Sequence, residues 1–419
     1  MTLQPDLLLT SCQVSQQWTA CFWDYTSGNS IQAYKGGGVA APNTANLIGN
    51  DFIITGESTK PLLHIWPVNS QEQLKNQKLI LPERASAVSV CPYNTFLSAG
   101  IGSKLYIWQI SSGKLLCVQQ KHLQPITCIR FVDNDFLITG GQDGMLIVYN
   151  LGSLVSLQSN ILPQSEVGQT EPLYSKLDHS LPITDIHVGN FGVKSRIVSV
   201  SIDQTCKIYN LVDGGLLLTI VFDNPLTAVV VDIAFWNIYV GSNFGDLIHF
   251  DLRNPPRTAQ FHISKSDKNL SSFVGHTKKI NCLSLNLNGE VLASGSEDCQ
   301  VLIWEVKSRQ IIRKLEHKGS ITNISFVMKH QNIFSQNFKP LFIVKALERS
   351  LDFASEKLIV PVIQNEKIEF NDEENDSNKQ SGVNQTIAEL EAELSKANVV
   401  NKQLYDGMIK LIKKYNNVN

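Results

Sequence analysis

Through the first three quarters of the chain the apolar residues fall into short runs of β type, such as Leu7-Leu8-Leu9-Thr10-Ser11-Cys12 and Ile126-Thr127-Cys128-Ile129. Seven such runs end in an aromatic residue, followed in most cases by an acidic or polar one: Trp23-Asp24, Trp66-Pro67, Trp108-Gln109, Tyr149-Asn150, Tyr209-Asn210, Phe250-Asp251 and Trp304-Glu305. Their spacings are 43, 42, 41, 60, 41 and 54 residues. Four of the six intervals share one period, and the two long ones read as the same unit carrying an insertion.

A period near forty with this ending marks WD-type propeller blades. The predicted fold is therefore all-β: a seven-bladed WD-repeat β-propeller, followed by an acidic linker and a C-terminal coiled-coil helix. The fullest unit runs from Gly275-His276 through Ser294, Asp298 and Trp304. In such a blade these four side-chain types form a hydrogen-bonded chain that ties the loop entering the blade to its third strand. A buried polar chain stabilises only when each member is satisfied. Two more units carry Tyr in place of Trp: His122, Thr139, Asp143, Tyr149, and His179, Ser199, Asp203, Tyr209. In all three the Asp precedes the aromatic by six residues. Gly102 and Phe244 stand at that place in other units, whose blades are expected to rely on packing alone.

His, Asp and Ser together also resemble a catalytic triad. A catalytic set occurs once, whereas these recur three times at fixed spacing, so they are read as structural locks and no catalytic, cofactor-binding or metal-binding residue is assigned. Gln142, Ile202 and Glu297, each just before a lock Asp, fall on loops that face partners in propellers of this type.

Composition changes the picture little. The 419 residues are 43% hydrophobic and 18% charged with a net charge of -2, enough apolar material for a substantial core and no basic footprint for nucleic acid. The eight cysteines form no C-x-x-C and no zinc spacing, which predicts free core thiols in a reducing compartment. The N-terminus lacks the pattern of a signal peptide, and no apolar run is long enough to span a bilayer, so no membrane partner is expected.

Four parts follow along the chain: the propeller over 1–345, a packed or irregular extension over 346–363, an acidic linker over 364–384 and a helix over 385–416. Before Trp23 there is room for one strand too few. The run Ile321 to Phe326 is an extra strand after the last blade, so it is expected to close the ring and leave no open edge. Insertions at Leu151 to Asp178 and Arg253 to Ser272 stand out from the ring, as binding loops or as tolerated additions.

In the last segment Ile387, Leu390, Leu394, Ala397, Asn401, Leu404, Met408, Leu411 and Tyr415 are spaced three and four residues apart without a break. That is a heptad seam, and one Asn at a core position favours a parallel two-stranded coil. The open alternatives are a homodimer through this coil and a helix docked on a partner.

The stretches Leu181-Pro182-Ile183-Thr184-Asp185-Ile186, Ser201-Ile202-Asp203-Gln204-Thr205-Cys206-Lys207-Ile208-Tyr209, Gly215-Leu216-Leu217-Leu218 with Val221-Phe222-Asp223, and Trp23 to Gly28 with Tyr34-Lys35-Gly36-Gly37 carry a family resemblance. The chain resembles the WD-repeat subunits of the rixosome, the Rix-type ribosome-assembly complex, over most of its length. That resemblance implies a non-catalytic scaffold, without cofactors, acting in ribosomal RNA spacer processing and maturation of the large ribosomal subunit. It implies as partners a Rix-type helical-repeat scaffold protein and the other rixosome subunits. A midasin-type AAA ATPase and the large-subunit precursor would be engaged indirectly. The implied location is nucleus, nucleolus and nucleoplasm, with some protein in the cytoplasm. No basic cluster of five or more is present, only Lys410, Lys413 and Lys414, so import bound to a partner is one route. A second reading is a substrate receptor of a cullin-type ubiquitin ligase, because Phe250-Asp251-Leu252-Arg253 resembles an adaptor-docking box; Phe244 stands where that box has an acidic residue.

Overall fold

The computed structural model describes residues 6–14, 18–74, 77–156, 171–263, 270–335 and 340–349. The heptad positions Ile387 to Tyr415, the acidic segment 364–384 and the extension beyond 349 lie outside the described residues.

Seven largely antiparallel sheets form the ring, numbered as blades 1 to 7 in the chain order of their aromatic endings; in blades 2 to 7 the strands follow chain order from the central channel outwards. Blades pack on both faces, so their middle strands are buried on both sides and read as continuous apolar runs instead of alternating. Phe52–Gly56 and Arg196–Ser201 are buried almost throughout, while outer strands such as Ile311–Glu316 expose most of their residues.

Closure follows the edge argument. Ile321–Met328 is the inner strand of blade 1 and pairs antiparallel with Asp6–Cys12, which continues into Ala20–Trp23 and Ser30–Tyr34. The two ends of the propeller sequence thus share one sheet.

The two insertions are more closely woven into the ring than their sequence suggests. The first contains Leu151–Ser156, a short helix that buries Leu151 and Leu154, and Tyr174–Lys176, the outer strand of blade 4. In the second, Gln260–His262 pairs parallel with Leu216–Val221 as a fifth strand of blade 5, and Leu270–Phe273 returns as the outer strand of blade 6. Phe261 packs against Phe250 of blade 6, so this crossover joins the rims of two blades.

Past the ring, residues 341–349 lie along blades 2 and 3. The Asp51 carboxylate accepts the backbone N–H of Leu341 and Phe342, and Val344 and Leu347 enter the core of those blades. Glu348 receives the Trp108 indole N–H on its carbonyl at 2.7 Å and the Leu115 N–H on its carboxylate at 3.1 Å. Gly113 has φ +71°, and a Cβ there would meet the Ala346 carbonyl at 2.1 Å, so the close approach of this segment needs a glycine.

Candidate protein-binding surface

Antiparallel connectivity sorts the loops onto two faces. Turns between second and third strands, and the connections entering each inner strand, lie on what we term the upper face; the remaining turns lie on the lower face. Each lock joins the two kinds of upper loop. His276 Nδ1 lies 2.8 Å from Asp298, His276 Nε2 lies 2.7 Å from Ser294 Oγ, and the Trp304 indole donates to the same hydroxyl at 2.8 Å. His122 contacts Asp143 at 3.1 Å and Thr139 at 2.8 Å; His179 contacts Asp203 at 2.9 Å and Ser199 at 2.7 Å. Each Asp also accepts a backbone N–H from the entering loop, at Leu123, Ser180 and Thr277. Burial pushes the Asp298 carboxyl up, but the hydrogen bond and charge of His276, with the Gln300 and Thr277 amides, hold it below the usual carboxylate range.

Tyrosine does not reproduce the tryptophan contact in blade 5. The Tyr209 hydroxyl is buried near Asp178 and Ser199 without a well-oriented hydrogen bond to either. Indole carries its N–H on the flank of the ring, whereas a phenol carries its O–H at the far end, beyond the serine.

The expectation that the other blades rely on packing alone is overturned in blades 1, 2 and 6. Blade 1 has a lock without an Asp: the Trp23 indole donates to Thr10 at 2.8 Å, and Thr10 lies 3.0 Å from His317 Nε2. In blade 6 Asp246, two residues beyond Phe244, is held by Asn224 at 2.8 Å and by the Ser242 hydroxyl. In blade 2 His64 bridges Glu57 and Gln73. A strand end without the full lock set still carries polar groups that need partners, and nearby side chains supply them.

A second ring of polar residues escaped the sequence reading. At a β-bulge near the start of their inner strands, Ser86, Thr127, Thr184 and Thr227 share their hydroxyl proton between their own second strand and the inner-strand carbonyl of the next blade, at Ile126, Ile183, Leu226 and Ile280. Asn281 reaches the Ile321 carbonyl at 2.8 Å, and Asn323 bonds Ser11, the Ala41 carbonyl and the Thr44 N–H. The signal is short: a Ser, Thr or Asn that follows an apolar residue, five positions after a lock histidine in blades 4, 5 and 7.

Gln142, Ile202 and Glu297 are all exposed on the upper face. Their backbone N–H groups donate to the carbonyls of Pro125, Pro182 and Lys279, so the locks hold them on a rigid frame. Leu123, 86% exposed, and Phe244, 63% exposed, add apolar surface on the same face. A rigid rim with adaptable side chains suits a protein partner.

The model for "WD domain, G-beta repeat" matches residues 113–150 and 267–305, the units that include blades 4 and 7. WD repeat-containing protein 18 of Danio rerio is 28% identical over 353 residues, covering 84% of this chain and 80% of that protein. The human protein of the same name is 29% identical over 343 residues, 81% of this chain and 77% of its own. The chain is a WD-repeat propeller related to WD repeat-containing protein 18. Pre-rRNA-processing protein pro-1 of Caenorhabditis elegans is 26% identical over 374 residues, covering 84% of this chain and 69% of that protein.

Asp298→Ala is expected to leave His276 without its acceptor in a buried site. The loss should be roughly 1 to 3 kcal/mol, with partner binding falling only as far as folding does. Urea denaturation beside a binding assay checks this; an unchanged midpoint with binding abolished would make the site functional instead.

Proposed function

We propose that this protein is a non-catalytic scaffold of a rixosome-type complex, acting in ribosomal RNA spacer processing and maturation of the large ribosomal subunit. The observation that carries the reading is the extent of the similarity. It runs over more than four fifths of the chain, well beyond the two repeats that any WD protein could share, and one of the relatives is named for pre-rRNA processing. The proposed partners are a Rix-type helical-repeat scaffold protein and the other subunits, with the AAA ATPase and the ribosome precursor reached through them. The nucleus and nucleolus are the corresponding locations. Purification of the tagged chain with mass spectrometry tests this: ribosome-assembly factors support it, and a cullin adaptor in their place sinks it. Depletion should raise spacer-containing precursors, and the full chain should restore them.

Within this reading the upper face is the contact surface. Gln142→Lys, Ile202→Asp and Glu297→Arg together should weaken capture of the scaffold protein at least tenfold. Stability should change by no more than about 0.5 kcal/mol, as for other exposed changes. Intact capture, with loss on deleting 157–170, would move the contact to that insertion.

The heptad seam is assigned to self-association, which would present paired propellers to a bivalent partner and raise avidity through effective concentration. Leu394→Asp with Leu404→Asp should halve the mass seen by light scattering and leave the melting transition of the propeller in place. A wild-type monomer at tens of micromolar would favour docking of the helix on the scaffold protein.

A further inference from the structure

The lower mouth of the channel is built differently from the upper face. Between the inner strands of blades 5, 6, 7 and 1 lies a cavity of about 310 Å³, walled by Val231, Leu285 and Phe326 and rimmed by Ile233, Leu287 and Met328. These rim side chains are 47%, 55% and 63% exposed, so three large apolar groups meet solvent around one hollow. Isolated exposed apolar residues need no explanation, but a cluster around a concavity marks a binding site.

Its titratable lining is Asp6, Asp232 and His187, with no lysine or arginine. The Asp232 carboxylate is engaged by the Trp236 and Asn237 backbone N–H groups and by the Asn237 amide. Asp6 has only the Leu287 backbone as a hydrogen-bond partner and no ion pair among the described residues; burial pushes its carboxyl up. His187 is held neutral by burial and by the charge of Arg130, itself paired with Asp185 at 2.9 Å, its pKa pushed down to about 4, so it adds no positive charge at neutral pH. Tyr25, edge-on to Phe326 at 5.7 Å, lies in the field of Asp6, Asp24 and Glu290, of which, among the described residues, only Glu290 has a lysine, Lys307, at 3.2 Å. The hollow is thus apolar within and negative at its edge, and an under-partnered carboxylate is stabilised by an incoming cation.

We propose that this cavity is a second docking site, which takes one apolar side chain of a partner segment while the adjacent lysine or arginine of that segment pairs with Asp6. The chemistry selects a basic-apolar peptide, in contrast to the mixed polar rim of the upper face, and does not depend on the ribosomal reading. Fluorescein-labelled hexapeptides of sequence Gly-Ser-Leu-Lys-Ser-Gly, and the same with Glu for Lys, test it by anisotropy against the full chain. The lysine peptide should bind at least tenfold more tightly than the glutamate peptide. Asp6→Asn should weaken it at least fivefold, and Leu287→Ser with Met328→Ser should remove binding, with melting temperatures unchanged. Equal affinity for both peptides, or variants that bind like the parent, overturns the proposal. So does a result in which neither peptide binds and Met328→Ser dissociates a dimer, since the face would then belong to a second copy of the chain.

Discussion

A chain ending at Gly319 is expected to be insoluble or to melt without a cooperative transition. It lacks Ile321–Met328, which pairs along the whole length of Asp6–Cys12, so blade 1 would present an unpaired second strand to solvent and blade 7 an uncovered face. Such edges recruit other chains. Ile321 and Ile324 are buried, and full burial of such side chains contributes about 1.5 to 3 kcal/mol each. Asn323 would also be lost, and with it the bonds to Ser11, Ala41 and Thr44 that join blades 1 and 2. Against a net stability on the order of 5 to 15 kcal/mol, these losses are enough to unfold the ring. A chain ending at Arg349 keeps every contact described for the propeller and should melt cooperatively, which separates these losses from loss of the segment beyond 349. A soluble shorter chain with a sharp calorimetric transition would refute the closure.

Where the sequence was legible, one blade or one edge contained the whole signal. The aromatic endings place all seven third strands, and the want of a strand before Trp23 points to Ile321–Met328 because an open edge is costly. The locks of blades 4, 5 and 7 could be read because His, Asp and Ser or Thr lie within one repeat at one spacing. The lock of blade 1 could not. Its histidine, His317, belongs to the far end of the chain from Thr10 and Trp23, and only ring closure brings them together. Blade 6 was misread for a smaller reason: its acidic residue, Asp246, sits two positions beyond Phe244, a shift that a fixed spacing cannot absorb. The outer strands Tyr174–Lys176 and Leu270–Phe273 were hidden because the insertions precede them and break the period. Segment 341–349 has no repeat signal at all, since its burial depends on Asp51 and Gly113, which lie far back in the chain.

Mild acid is expected to loosen the propeller well above the range in which carboxylates titrate, with His317 as one of the responsible groups. In the lock of blade 1 the neutral ring is fully satisfied: Nδ1–H faces the Leu315 carbonyl at 3.3 Å, and Nε2 accepts the Thr10 hydroxyl, whose oxygen already receives the Trp23 indole. A second ring proton would confront that hydroxyl with another donor. Burial accordingly pushes the pKa down from 6.5 to about 4, with only the Leu315 carbonyl opposing it. The unfolded chain takes up this proton near pH 6.5 while the folded chain refuses it until about pH 4, so stability falls as pH drops through that window. At about 1.4 kcal/mol per pH unit of difference, the single ring accounts for a loss of about 3 kcal/mol by pH 4. Asp143 and Asp298 do not produce this slope. Their carboxyls are held below the usual 3.8, so the stability they contribute is lost only as pH falls below that value. His187, also lowered to about 4, and His122, lowered by burial against the pull of Asp143, add to the same window. A difference measurement therefore isolates His317. Urea midpoints of parent and His317→Gln at pH 7.5, 5.5 and 4.5 should show the variant less stable at pH 7.5 but shallower in its decline, the two converging towards pH 4. Parallel declines would show that the blade 1 lock does not sense pH.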